Sequence, residues 1–135
     1  MRSRAGAILI LASVFIGGSG CDYKPRNQGK SLYNANCLSC HMDNGEGLEA
    51  LFPPLANADY VLENADQLAC IIRYGVKGEL TVNGVKYDGE MAGNQQLSET
   101  EVSNIVHYIM VDLNHQESHS GITEIRAQLE NCKED

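Results

Sequence analysis

Four stretches of the chain place apolar side chains three or four residues apart, which predicts helices with one buried face. They are 29–41, 65–74, 98–113 and 122–132. The third begins with the capping-box sequence Ser98–Glu101, and the second stops at Gly75. In the fourth, we expect Ile122, Ile125 and Leu129 to face the core. The predicted fold is therefore all-α, with an extra C-terminal helix.

One segment has the pattern of a small β-hairpin. The runs 80–82 and 85–87 are short and apolar at alternate positions, and they flank Asn83 and Gly84. Asn-Gly between two such runs is a strong signal for a two-residue turn. We expect one two-stranded ribbon beside the helices. Residues 43–47 and the apolar, proline-containing segment 52–55 are predicted to be loops.

The first twenty residues have the pattern of an export signal. Arg2 and Arg4 precede the apolar run 5–16, and small residues occupy 17–20. The run is too short to span a membrane comfortably. Cys21 follows directly, which resembles a bacterial lipoprotein signal, although Gly18 stands where leucine is usual. We expect residues 1–20 to be removed, Cys21 to carry a lipid anchor and residues 21–28 to form a tether. Ordinary cleavage releasing a soluble protein is the alternative.

Length and charge limit the functions open to the chain. Its 135 residues leave room for one domain besides the export segment. Loss of residues 1–20 removes two arginines and no acidic residue, so the formal charge changes from -8 to -10. Such a surface repels nucleic acid and favours docking on basic patches of proteins.

The sequence CLSCH at 37–41 carries the strongest chemical signal. Positions i, i+3 and i+4 of a helical turn share one face, so Cys37, Cys40 and His41 point the same way. This is the attachment pattern of a covalent haem c, with two thiols for the vinyl groups and an imidazole for the iron. A zinc site or a redox dithiol are the alternatives. The first would need a second ligand pair and the second a βαβ context, and neither is present in the sequence.

Cys70 and Cys132 remain once Cys21, Cys37 and Cys40 are assigned, and they are predicted to form a disulfide. The bond would close a loop of 62 positions, and the chain-entropy model gives it about 4 kcal/mol of stability. It would attach the C-terminal helix to the helix that contains Cys70. A buried free thiol at Cys70 is the alternative.

The order of these elements resembles that of class I cytochromes c, from about residue 28 to residue 114. The segments FPPLAN, IIRYGVKG, YDGEM and LSETEVSNIVHYI resemble those of bacterial monohaem cytochromes. The resemblance implies a cytochrome c fold around one covalent haem at 29–114, followed by an extension at 115–135.

The resemblance further implies that Met91 is the second axial ligand, opposite His41. Met/His ligation raises the reduction potential of a haem. Met42 directly follows His41 and cannot cover the opposite face, and Met110 lies inside a helix, where it is expected to be a packing residue. The remaining histidines are expected on a helix surface or in a polar link, and they are His107, His115 and His119. Many relatives have proline after this methionine, whereas Ala92 follows here.

Supporting residues also follow from the resemblance. A proline carbonyl is expected to accept the second ring proton of His41, and Pro54 is preferred over Pro53. Close contact of the first and last domain helices is expected at Gly29, Tyr33 and Tyr108. Side chains that are candidates for hydrogen bonds to the haem propionates, or alternatively solvated surface groups, are Arg73, Lys77 and Tyr87.

The implied function is one-electron transfer without a small-molecule substrate, by a monomer that is not an enzyme. We expect a periplasmic or membrane-tethered carrier at the outer face of the cytoplasmic membrane. Its partners would be an oxidase, a reductase or a quinol-oxidising complex with basic docking patches. The alternatives are a haem subunit of a respiratory or nitrite-reducing complex, and a haem sensor or peroxidase-like protein with a labile methionine ligand.

Overall fold

A computed structural model of the chain describes residues 25–117 and 121–132. The predicted export signal, the predicted lipidation site Cys21, and His119 lie outside these residues. Within the described ranges, no helix combines the length and the apolar character that crossing a membrane requires.

The described residues form six α-helices, a π-helical segment and four short strands. The helices are α1 Pro25–Asn36, α2 Leu38–His41, α3 Asp59–Glu63, α4 Leu68–Tyr74, α5 Glu99–His107 and α6 Ile122–Glu130. The π-helical segment Tyr108–Leu113 continues α5. The strands are β1 Gly75–Val76, β2 Glu79–Val82, β3 Val85–Asp88 and β4 Met91–Ala92.

Helix α1 includes Pro25, so it begins earlier than the apolar pattern predicted. Residues 25–28, which were predicted to belong to the tether, are helical. Proline is well tolerated in the first turn of a helix, because an N–H there has no acceptor within the helix. The first turn of α1 contains only proline and polar residues, so apolar periodicity could not predict that it is helical.

The contact between α1 and α5 agrees with the prediction. A Cβ on Gly29 would lie 2.5 Å from the carbonyl oxygen of Asn104 and 3.0 Å from Cβ of Tyr108, so only glycine permits this approach. The rings of Tyr33 and Tyr108 lie 5.1 Å apart between centroids, and Tyr33 is fully buried. The two helices are therefore joined at van der Waals distance before the chain enters the CLSCH turn.

The capping box of α5 and the predicted hairpin are both present. The Ser98 hydroxyl accepts a hydrogen bond from Glu101 N–H, and the Glu101 carboxylate accepts one from Ser98 N–H. Strands β2 and β3 pair antiparallel with Val82 opposite Val85. Asn83 and Gly84 both have positive φ, 51° and 79°, as a tight two-residue hairpin turn requires.

A second two-stranded sheet was not predicted. Strands β1 and β4 pair antiparallel, with Gly75 opposite Ala92 and Val76 opposite Met91. Each strand has only two residues, which is too short for an alternating pattern to mark it. The fold is thus helical with two small antiparallel sheets, and the unpredicted sheet contains Met91.

The C-terminal extension packs on the helical core. Cys70 of α4 and Cys132 form the predicted disulfide, with their Cα atoms 5.5 Å apart. Ile125 is fully buried and Leu129 is partly buried against the core. The expectation for Ile122 is wrong, because its side chain is 39% exposed. Ile122 is the first residue of α6, so it stands at the rim of the packed face.

Candidate functional site

The CLSCH sequence forms one helical turn. Cys37 precedes α2 as its N-cap residue, and the N–H of His41 donates to the carbonyl oxygen of Cys37 at 2.9 Å. This is the i to i+4 bond of an α-helix, so Cys37, Cys40 and His41 lie along one side of the turn. The arrangement matches the face that the spacing predicted.

The chemistry of the two thiols argues against the alternatives. Cys37 and Cys40 are both free, and burial raises the pKa of Cys37 to about 11, with a smaller contribution from the charge of Cys40. A reactive redox dithiol needs a lowered pKa. Among the described residues, no three His, Cys, Asp or Glu side chains gather as a metal site would require. Two half-buried thiols beside an imidazole fit covalent attachment of a haem.

His41 is held in the protonation state that iron requires. Its side chain is 7% exposed, and burial lowers the pKa of the imidazole, with an opposing contribution from its backbone hydrogen bond. Nδ1 lies 2.9 Å from the carbonyl oxygen of Pro53, which can only accept, so Nδ1 carries the proton. The lone pair of Nε2 is therefore left to bind a metal. The preference for Pro54 was wrong, and the acceptor is Pro53.

Local geometry explains why the acceptor is Pro53. Gly47 N–H donates to the carbonyl of His41 at 3.0 Å, and Leu48 pairs with Phe52 in an antiparallel bridge that reverses the chain. Gly47 has φ of 67°, and a Cβ there would collide with the carbonyl oxygen of Phe52 and lie 2.7 Å from the carbonyl carbon and oxygen of Pro53. The loop can place this carbonyl beside His41 only because residue 47 is glycine.

Asn114 fixes the other end of this loop, a function that the sequence did not predict. The side chain is 5% exposed. Its Nδ2 donates to the carbonyl oxygens of Leu55 at 2.7 Å and Ile109 at 2.8 Å, and its Oδ1 accepts from Ala58 N–H at 3.1 Å. It thereby connects the proline loop to the end of the π-helical segment. The sequence carries no distinct signal for this function, because Asn114 is the first residue of the polar run 114–120 and has the same polar character as its neighbours.

The segment that follows Met91 is hydrogen-bonded to the residue before the CLSCH turn. Asn94 Nδ2 donates to Oδ1 of Asn36 at 3.0 Å, which connects the segment after Met91 to the residue before Cys37. The side chain of Met91 is half-buried. Of the competing candidates, Met110 is buried in the helical core and His115 is exposed. Met42 follows His41 and its carbonyl accepts from the Tyr33 hydroxyl at 2.8 Å.

Two further features fit a large, flat, apolar group that carries anionic substituents. The loop after the CLSCH turn exposes three large apolar side chains, which are Leu48, Leu51 and Phe52. At the end of α4, Nε and Nη2 of Arg73 are buried and have no hydrogen-bond partner among the described residues. Such a guanidinium needs an anion, and a propionate would supply one. Lys77, in contrast, pairs with Glu90 at 3.0 Å on the surface, and Tyr87 is 6% exposed.

Comparison with known proteins agrees with these observations. The family model for cytochrome c matches residues 27–111. The chain belongs to the cytochrome c family. It is similar to a cytochrome c-552 from Thermus thermophilus, at 31% identity over 104 residues, which is 74% of this chain and 68% of that protein. A second Thermus thermophilus cytochrome c-552 is 34% identical over 85 residues, covering 60% of this chain and 64% of the relative.

A third relative is part of an enzyme. The cytochrome c subunit of a quinone alcohol dehydrogenase from Gluconobacter oxydans is 33% identical over 86 residues, which are 62% of this chain and 18% of that subunit. The predicted family and cofactor are confirmed: this is a class I monohaem cytochrome c, and its cofactor is a covalently bound haem c. Its general function is electron transfer.

Proposed function

We propose that Cys37 and Cys40 hold the haem through thioether bonds and that His41 and Met91 are its axial ligands. The observation that carries this proposal is the hydrogen bond of 2.9 Å between His41 Nδ1 and Pro53 O, which leaves Nε2 with its lone pair. A metal-binding histidine typically donates its other ring proton in this way. The free thiols on the same helical face support the same assignment, as does the Arg73 guanidinium, which lacks a partner in the described part of the chain.

When bound, the haem would supply a metal that changes between ferrous and ferric by one electron, and thioether ligation by Met91 would favour the ferrous state. If His41 and Met91 both held the iron, no position would remain for a substrate. The residues of this chain therefore orient the ligands and exclude water, and none needs to act as an acid, a base or a nucleophile. This supports a carrier rather than an enzyme.

Met91→Ala tests the ligand assignment. In protein matured with a haem c assembly system, we expect the variant to keep its covalent haem but lose the charge-transfer absorption of methionine-bound ferric iron. It should bind carbon monoxide promptly when reduced, whereas the unaltered protein should not. Met42→Ala is the matched control and should keep both properties. An unchanged spectrum in Met91→Ala would contradict the assignment. Prompt binding of carbon monoxide by the unaltered protein would instead favour the sensor or peroxidase-like alternative.

We propose that the cytochrome docks on basic patches of its redox partners, as a monomer. Asp43, Glu46 and Glu49 lie on the loop directly after the CLSCH turn, and all three side chains are exposed. Together with the charge of -10 after loss of the leader, they would attract a cationic surface. Electron transfer to a candidate oxidase or reductase should slow steeply as salt rises. A rate that does not depend on ionic strength would contradict this proposal.

A permanent place in a larger complex is the second candidate function. It is favoured by the similarity to the cytochrome c subunit of the quinone alcohol dehydrogenase, although the match covers 18% of that subunit. Gentle extraction of the native membrane followed by size separation distinguishes the two. A carrier should migrate as a free monomer, whereas a subunit should migrate with its complex.

We also propose that the protein is exported and anchored through lipid at Cys21. The proposal is supported by the charged, apolar and small-residue pattern of 1–20 and by the cysteine that follows it. The mass of the mature N-terminus tests it, with Cys21→Ser as the control. A mature protein that begins at Cys21 without acyl chains would support ordinary cleavage instead.

A further inference from the structure

The C-terminal extension is attached to two helices of the domain at once. The disulfide connects Cys132, just after the end of α6, to Cys70 of α4, with Cα atoms 5.5 Å apart. Arg126 Nε of α6 donates to the Glu99 carboxylate of α5 at 2.9 Å. Ile125, the residue before Arg126, is fully buried. Helix α6 therefore lies across α4 and α5 and holds them together.

The C-terminal end of α4 determines where the strand of Met91 lies. Asn94 N–H donates to the carbonyl of Ile72 at 2.9 Å, and Val76 pairs with Met91. A Cβ on Gly93 would lie 2.5 Å from the carbonyl oxygen of Arg73. The backbone after Met91 is thus in direct contact with the end of α4, and the two cannot move independently.

Helix α4 cannot keep this position by itself. It comprises only Leu68–Tyr74, and helices of this length are not stable without tertiary contacts. Cys70 and Ile72 both belong to it, so the disulfide acts two residues from the carbonyl that binds Asn94. A displacement of α4 at Cys70 is therefore transmitted to β4.

We infer that the Cys70–Cys132 disulfide, through α4 and the β1–β4 sheet, positions Met91 for axial ligation. Cys70 and Cys132 are positioning residues in this scheme, since they act through α4 and are not proposed as ligands. The inference rests on the proposed ligation by Met91. It assigns the C-terminal extension a function in keeping the sixth position of the iron closed, besides its contribution to stability.

If the disulfide positions Met91, its removal should increase the fraction of molecules in which Met91 has moved away from the iron. Imidazole added to the ferric protein binds iron only in molecules whose residue 91 has moved away, so its apparent affinity follows the population of that open state. Without the disulfide, the end of α4 and β4 should separate from the domain more often. We expect the apparent affinity for imidazole to rise about tenfold, which corresponds to about 1.4 kcal/mol of local stability.

The test is a double variant, Cys70→Ser with Cys132→Ser, titrated with imidazole in the ferric state while the methionine–iron absorption is followed. Ser98→Ala is the first control, because it lowers global stability at the N-terminal end of α5 without touching α4. Arg126→Gln is the second, because it loosens α6 from α5 and leaves the disulfide intact. Both controls should change the affinity less than twofold.

Two outcomes would overturn the inference. One is a double variant whose imidazole affinity stays within twofold of the unaltered protein, even if its unfolding temperature falls. The other is an equal rise in Ser98→Ala, since the effect would then follow global stability. If the double variant does not mature, the disulfide of mature protein can be cleaved with a phosphine, its thiols alkylated and the iron reoxidised before the same titration. Unaltered protein without the methionine–iron absorption would contradict the proposed ligation itself.

Discussion

Substitution of Gly47 by alanine should disturb the proximal histidine without touching it. Gly47 has φ of 67°, and an added Cβ would collide with the carbonyl oxygen of Phe52 and lie 2.7 Å from both the carbonyl carbon and the carbonyl oxygen of Pro53. Contacts that short force the backbone at Phe52 and Pro53 to move. The Pro53 carbonyl accepts the hydrogen bond from His41 Nδ1 at 2.9 Å, so the bond must lengthen or bend.

The expected loss of stability has two parts. An L side chain in the left-handed region costs about 1–2 kcal/mol, and a weakened hydrogen bond in a buried site costs about 1–2 kcal/mol more. We therefore expect the free energy of unfolding to fall by about 3 kcal/mol, or the unfolding temperature to fall by about 10–20 °C for a domain of this size. A histidine that donates less is a weaker ligand for ferric iron, so the reduction potential should rise.

Gly78→Ala is the matched control for this experiment. Gly78 also has positive φ, 86°, but a Cβ there would meet no heavy atom within 4 Å. The Gly78→Ala variant should lose only the cost of the left-handed backbone conformation, about 1–2 kcal/mol of unfolding free energy, and its reduction potential should not change. The measurements are guanidinium unfolding of the ferric protein and spectroelectrochemical titration. Equal losses in the two variants together with equal potentials would refute the proposed coupling of Gly47 to His41 through Pro53.

Three further predictions concern other parts of the domain. Asn114→Ala removes three hydrogen bonds from a buried site and should cost about 2–4 kcal/mol in guanidinium unfolding; a loss below about 1 kcal/mol would show that the loop is held by other contacts. Arg73→Gln removes the cation that is proposed to pair with a haem propionate. Loss of that positive charge would stabilise ferric iron, so the midpoint potential should fall; Lys77→Gln is the control, and equal shifts would contradict the assignment of Arg73 to a propionate. Ser98→Ala removes the cap of α5 and should cost about 1 kcal/mol of unfolding free energy, and an unchanged midpoint of unfolding would argue against the capping box.

The sequence was sufficient wherever covalent spacing or short-range geometry decides the outcome. The CLSCH spacing places Cys37, Cys40 and His41 on one helical face because three and four residues are close to one helical turn. The Asn83–Gly84 turn and the Ser98 capping box depend on neighbouring residues alone, and both are present as predicted. The Cys70–Cys132 disulfide followed from assigning the other cysteines first.

The pattern of apolar and polar residues did not predict contacts between segments that are far apart in the chain. From the sequence, either Pro53 or Pro54 could supply the carbonyl that accepts the His41 ring proton. The close approach of Gly47 to the backbone at Pro53 makes Pro53 the acceptor. Ile122 has the right spacing for the core, but it stands where α6 begins and remains exposed. A periodic pattern identifies which face of a helix is apolar. How much of that face is buried depends on the neighbouring elements that pack against it.

By itself, therefore, the sequence determined the cofactor, the family and the face that carries the attachment residues, because each depends on residue identity and local spacing. Only the tertiary structure decided which carbonyl orients His41, that β1 and β4 pair beside Met91, and that Asn114 holds the proline loop. In each case the group that is contacted belongs to the backbone, which every residue possesses: the Pro53 carbonyl, the paired strands, and the carbonyl and N–H groups bound by the Asn114 side chain. Such groups leave no trace in the choice of side chain, so their partners become known only when the chain is folded.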